Sequence, residues 1–147
     1  MIGHDACMGC AKRRWAARAA AALAAAGLTG CGLDVQTPDL FLVTRTGQGK
    51  PLTVLVTYDG GVTCNGRRGK TLPDRLLLLA RSLPGQLESD AQKKLDPPSP
   101  AGSVYRFKVS LQYGTFSFPD TSAAHRPELA RLEQFVLQAE PSCGAPG

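Results

Sequence analysis

The sequence predicts an α+β domain: a single antiparallel sheet of four or five strands with two helices on one face, in the order β-β-(β)-α-β-β-α. Three observations lead there. Tyr105, Phe107, Val109, Leu111 and Tyr113 alternate with Arg106, Lys108, Ser110 and Gln112, the period of a strand buried on one side. Leu52, Val54, Val56 and Tyr58 alternate in the same way with Thr53, Leu55 and Thr57. Leu76 to Leu83 and Leu129 to Ala139 instead space their apolar residues as helices do.

In chain order, residues 40–46 alternate and are β-branched enough for a first strand, and Gly47-Gln48-Gly49-Lys50 turns the chain into the second. Asp59-Gly60-Gly61 is a turn signal, after which Val62-Thr63-Cys64 is the bracketed short strand. Thr71-Leu72-Pro73-Asp74 has the form of a capping box, and Asp74 suits a helix N-terminus. Leu76, Leu77, Leu79, Ala80 and Leu83 give that helix its apolar stripe. Pro84-Gly85 is expected to end or kink it, with 86–94 resuming. Residues 95–103 hold Asp96-Pro97-Pro98-Ser99-Pro100 and Gly102 and read as a loop. Gly114 turns the 105–113 strand into Phe116 and Phe118. The aromatic residues Tyr105, Phe107, Tyr113, Phe116 and Phe118 are expected in the core. Pro127 opens the last helix, whose stripe is Leu129, Leu132, Phe135, Val136 and Ala139, and Pro141 stops it.

Ahead of this domain, Lys12, Arg13, Arg14 and Arg18 accompany an alanine-rich apolar stretch from Trp15 to Leu28. Arg18 interrupts that stretch, which falls well short of the roughly 20 apolar residues of a spanning helix. Positive region, apolar region and small residues before a cut are the parts of a secretory signal. The cut is followed at once by cysteine, in Leu28-Thr29-Gly30-Cys31. This lipobox resembles that of a bacterial lipoprotein precursor, which implies a diacylglyceryl group on the Cys31 thiol and Cys31 as the first mature residue. The expected layout is a signal at 1–30 (with Met8 as a possible true start), a tether at 31–39, one domain at 40–143 and a tail at 144–147. Cys7-Met8-Gly9-Cys10 would leave with the signal. Arg13-Arg14 leaves both the general and the twin-arginine export routes open. The implied place is the extracytoplasmic side of the cell membrane, with the membrane itself the first partner through the Cys31 lipid.

The chain has 17 Lys and Arg against 12 Asp and Glu, but four of those cations and Asp5 precede Cys31. The mature portion is therefore nearly balanced. Its basic runs, Arg67-Arg68-Gly69-Lys70 and Lys93-Lys94, are too short for a nucleic-acid face. An envelope polymer or an extracellular protein is the expected partner, and the expected state is a monomer. Of five cysteines, Cys64 and Cys143 remain once the leader and Cys31 are set aside, and a disulfide between them suits an oxidising compartment.

No cofactor or metal is expected. Two cysteines lack a third soft ligand for zinc, and no Asp-x-Asp-x-Asp calcium loop occurs. Gly66-Arg67-Arg68-Gly69-Lys70-Thr71 lacks the glycine spacing of a phosphate loop. His125 lies near Asp120 and Ser122, but that stretch reads as loop and cap chemistry, so no catalytic residue is assigned. If the second sheet face is open, Arg106, Lys108 and Gln112 would line it as a contact for an anionic polymer.

Two resemblances complete the reading. The lipobox, Asp39-Leu40-Phe41-Leu42-Val43-Thr44-Arg45-Thr46-Gly47, Ser117-Phe118-Pro119-Asp120 and the closing helix together resemble small lipoproteins of actinomycetes such as Streptomyces, which implies location rather than activity. The order of strand pair, helix, proline-rich loop, hairpin and helix is similar to that of subtilisin-inhibitor-like domains. That similarity implies a reactive loop at 96–103 and, as the alternative function, an inhibitor-type module directed at an extracellular protease. The family braces its loop with a disulfide, whereas this chain has no cysteine between Cys64 and Cys143.

Overall fold

The computed structural model describes Val35 and residues 39–144, so the leader, the lipobox (Leu28, Thr29, Gly30) and Cys31 lie outside the described residues. Strand β1 (Asp39–Gly47) is central, paired along both of its edges. Strand β2 (Leu52–Thr57) pairs with one edge of β1, matching Val43 to Val54. Strand β5 (Tyr105–Leu111) pairs with the other, matching Val43 to Val109. Outward of β2 lie β3 (Val62–Cys64) and β4 (Arg67–Arg68), and outward of β5 lies β6 (Gly114–Pro119). The sheet thus runs β4-β3-β2-β1-β5-β6, with every neighbouring pair antiparallel. The fold class is as the sequence predicts, with six strands where it predicts four or five. The extra strand is the two-residue β4, which has no alternation long enough to announce it.

Helices α1 (Asp74–Gln92) and α2 (Pro127–Ala139) lie on one face of this sheet. Phe41, Val54, Val56, Phe107, Val109, Phe116 and Phe118 meet Leu83, Leu87, Leu129, Leu132 and Phe135 in one core. Phe41 and Phe135 pack edge to face at 5.3 Å between centroids. Burying each such side chain is worth about 1.5–3 kcal/mol. Asp90 on α1 receives Arg126 at the start of α2, and Gln86 receives Arg131 farther along, so the helices run antiparallel. A disulfide joins Cys64 on β3 to Cys143 in the short 3₁₀ turn (Glu140–Cys143) that follows α2.

Local expectations fail in three places, each for a physical reason. The capping box does not form. Helix α1 starts at Asp74 with Pro73 as its cap residue and no side-chain cap bond. Thr71 could cap only if Leu72 were helical, and a residue that precedes proline is pushed out of the helical region. Helix α1 also neither ends nor restarts at Pro84-Gly85, but runs unbroken through both. An interior proline costs about 3 kcal/mol and an interior glycine about 1. Leu83 and Leu87, both fully buried on either side of the pair, offset that cost. Finally, Tyr58 and Tyr113 continue the arithmetic of their strands but not the strands themselves. β2 stops at Thr57 and β5 at Leu111, and both tyrosines stand in turns, 59% and 70% exposed.

Candidate functional site

The three residues expected to line the open face do not form one site. Arg106 is taken by the proline-rich loop. It pairs with the Asp96 carboxylate and donates to the Pro97 carbonyl and to Ser99 Oγ, both at 3.0 Å. Lys108 stands exposed on the open face beside Thr44 and Ser117, and Gln112 lies beyond the end of β5 in the β5–β6 turn. Around Lys108 that face is hydroxyl-rich rather than basic, since the ladder aligns Thr63, Leu55, Leu42, Ser110 and Thr115 in one row and Thr53, Thr44, Lys108 and Ser117 in the next.

Asp120, His125 and Ser122 are not assembled for catalysis either. Asp120 opens a 3₁₀ turn (Asp120–His125) and its carboxylate faces the far end of the proline-rich loop. It accepts from Ser103 Oγ at 2.8 Å and from the backbone N–H groups of Val104, Tyr105 and Thr121. Burial alone would raise this carboxyl, but those donors outweigh it and hold it below the usual carboxylate range. Asp120 is a latch for the start of β5, and His125 is exposed.

Glu133 on α2 shows the opposite balance. Burial, with the Asp120 charge adding to it, pushes its carboxyl up to about 7, and one of its oxygens is buried without a partner among the described residues. The folded state therefore holds a proton that the unfolded chain, with an ordinary carboxyl near 4.5, gives up. Stability is full below that lower value and falls as pH rises through about 7. Glu133→Gln is expected to remove this fall and to be more stable than wild type at pH 8 by about 1 kcal/mol, a figure reduced for the partial exposure of the group. Thermal melts at pH 5 and pH 8 check it: the two proteins should converge at the lower pH.

Among the described residues, one cleft of about 450 Å³ lies at each end of β1. One surrounds the disulfide and carries Arg45, Lys50 and Arg67. Arg45 is already engaged there, by Glu140 at 3.3 Å and by the Tyr105 ring at 5.1 Å. The other lies where β1 begins. Leu40, Leu111 and Pro84 give it an apolar floor, Tyr58 and Tyr113 flank it, and Asp39, Glu88 and Gln112 bring polar groups to it. Arg81 pins the Tyr58 side of the groove, donating through Nε and Nη2 to the Tyr58 carbonyl at 3.1 and 2.9 Å and lying 4.6 Å from the centroid of its ring. Gly85 forms part of the wall, and a side chain built there would meet nothing within 4 Å. The groove is thus bounded by the one turn of α1 that breaks helix rules twice. A volume in this range is that of a small-molecule site, and convergent polar groups over an apolar floor are what such sites use.

The sequence pattern hides this groove, because alternation puts Tyr58 on the apolar face of the second strand and Tyr113 in the core. The signal that could have found it is Pro84-Gly85 itself, a costly dipeptide inside a stripe that otherwise continues from Leu83 to Leu87. Among the described residues no group of three metal-ligating side chains occurs, and no helix is long and apolar enough to cross a membrane. No protein-family model, no curated protein and no solved structure matches the chain.

Proposed function

We propose that this chain is an exported lipoprotein, anchored through Cys31 on the extracytoplasmic side of the membrane, whose single domain acts by binding through the Tyr58–Tyr113 groove. The observation that carries the binding role is the groove at Pro84-Gly85, where the helix bears a local cost of about 4 kcal/mol and two large rings face solvent. The Cys64–Cys143 bond supports export, since such bonds persist in oxidising compartments and are rare in the cytosol. Asp39 follows Cys31 by eight residues, a reach of at most roughly 28 Å. On this reading the groove end of the domain stays near the lipid surface. Cys31→Ala tests the anchor: in the native host the wild-type chain is expected in the membrane fraction and the variant in the soluble exported fraction. Equal distribution of the two would remove the anchor from the account.

A second reading, an inhibitor-type module, is favoured by the bracing of residues 95–103. Ser117 N–H donates to the Leu95 carbonyl at 2.7 Å, Arg106 holds Asp96, Pro97 and Ser99, and Asp120 holds Ser103. Hydrogen bonds and an ion pair thus stand where the resembling family has a disulfide. This reading requires that subtilisin be titrated stoichiometrically with the loop left intact; rapid cutting between 95 and 103 removes it.

A further inference from the structure

We propose that the groove's partner is a lipid surface: the Tyr58–Tyr113 end of the domain seats on the headgroup layer of the bilayer that holds the Cys31 anchor. This rests on the anchored, groove-binding reading and names what the groove meets. Three observations carry it. The first is where the chain enters the domain. Asp39 and Leu40 open β1 and line the groove, and Asp39 follows Cys31 by eight residues, at most roughly 28 Å of chain. The Arg45–Arg67 cleft lies at the other end of β1, so the groove is the end nearer the anchor along the chain. The second is the chemistry of the rim. Tyr58 and Tyr113 stand 59% and 70% exposed in turns, beside an apolar floor of Leu40, Leu111 and Pro84. Tyrosine joins an apolar ring to a hydroxyl, and such side chains gather at the membrane–water boundary, where the ring leaves water and the hydroxyl stays among headgroups. The third is charge. Asp39 and Glu88 line the groove, and Arg81 lies 4.6 Å from the Tyr58 ring. Arg81 donates to the Tyr58 carbonyl through Nε and Nη2, which leaves N–H donors for a lipid phosphate. With both signs present, the rings rather than net charge drive the contact. It should therefore form on zwitterionic lipid and survive about 0.5 M salt.

Tyrosine emission reads the contact, because the chain from Cys31 onward holds three tyrosines and no tryptophan. Tyr105 is the internal reference, at the opposite end of β5 from Tyr113, about 20 Å away. The chain from Cys31, which carries the compact unit Gly32–Gly147 with its disulfide formed, is coupled through the Cys31 thiol to a maleimide lipid. The vesicles are phosphatidylcholine, with or without a phosphatidylcholine brominated high on its acyl chains. Chemical coupling makes the result independent of what the cell attaches to Cys31. In Tyr105→Phe the emitters are Tyr58 and Tyr113, and the brominated lipid is expected to quench them. In Tyr58→Phe with Tyr113→Phe the emitter is Tyr105, and no quenching is expected. Adding Tyr113→Glu to Tyr105→Phe should abolish the quenching of Tyr58. Position 113 is an exposed turn, so an unchanged Tm shows that this variant is folded. Equal quenching of Tyr105 means that the tether alone holds the domain at the surface, and it overturns the docking, as does quenching that survives Tyr113→Glu. Quenching of Tyr105 alone seats the Arg45–Arg67 cleft on the lipid and counts against the groove as well. Absence of quenching in every variant overturns the docking and leaves the groove to a soluble ligand, with the anchor still answered separately by Cys31→Ala fractionation.

Discussion

Replacing Cys64 and Cys143 together by serine is expected to lower the unfolding free energy by about 4–5 kcal/mol. The bond closes a loop with a sequence separation of 79 residues, and in the chain-entropy account a loop of that length restricts the unfolded chain by roughly this amount. For a domain whose total stability is of order 5–15 kcal/mol, the reduced protein should be marginal at 37 °C. The geometry says where the loss appears. Cys64 is buried on β3, one strand from the sheet's short edge, and Cys143 follows α2, so the bond fastens the end of the chain to the β3–β4 edge. Gly69 lies against the Ser142 carbonyl, and Lys70 N–H donates to that carbonyl at 2.7 Å. Urea unfolding of oxidised and reduced protein measures the effect. A difference below about 1 kcal/mol would mean that the unfolded chain is already restricted by other means.

Arg126→Met is expected to cost about 3 kcal/mol, and Asp90→Ala clearly less. Asp90 is 5% exposed on the inner face of α1, and Arg126 Nη2 donates to both of its oxygens, at 2.7 and 2.9 Å. Arg126 also donates through Nε to Glu128 at 2.7 Å. Asp90, first, and Glu128 hold the guanidinium charged, with its pKa raised above the ordinary arginine value. Loss of the arginine therefore strands a buried carboxylate, the situation that costs about 3–5 kcal/mol when a buried pair is broken. Loss of the aspartate leaves the arginine a second carboxylate and a partly open side, so its penalty is smaller. The double variant Asp90→Leu with Arg126→Met should recover much of the loss, because neither buried charge remains. Chemical unfolding of the three variants tests the order; equal effects of the two single changes would show that the pair contributes only as surface charge.

The fold was readable from this sequence wherever burial repeats with a fixed period. Phe107, Val109 and Leu111, then Phe116 and Phe118, all lie in the core as the alternation requires. So do Leu129, Leu132, Phe135, Val136 and Ala139 at helical spacing. The period carries no mark of where a strand stops, so it continues through Tyr58 and Tyr113, which lie just past the strand ends and stand exposed. The persistence of α1 through Pro84 depends on Leu83 and Leu87 meeting the sheet, a tertiary fact invisible in the local dipeptide. Arg106 has the polar parity of an open face, yet the proline-rich loop folds onto it, and parity does not report what crosses a face from elsewhere in the chain. The groove was illegible for the same reason, since it joins the beginning of β1, the end of β5 and the middle of α1. The Cys64–Cys143 pair was legible because counting cysteines left only those two for the domain.

We propose an exported, lipid-anchored domain, held by one disulfide, that presents this groove. Intact and tryptic mass spectrometry of the membrane fraction from the native host, before and after reduction, is the decisive measurement. The expected product is an N-terminal peptide beginning at Cys31 and carrying a diacylglyceryl group, with Cys64 linked to Cys143. An unmodified soluble chain that retains the residues before Cys31 would contradict it, and Cys7, Cys10 and the basic leader would then become working parts of the protein.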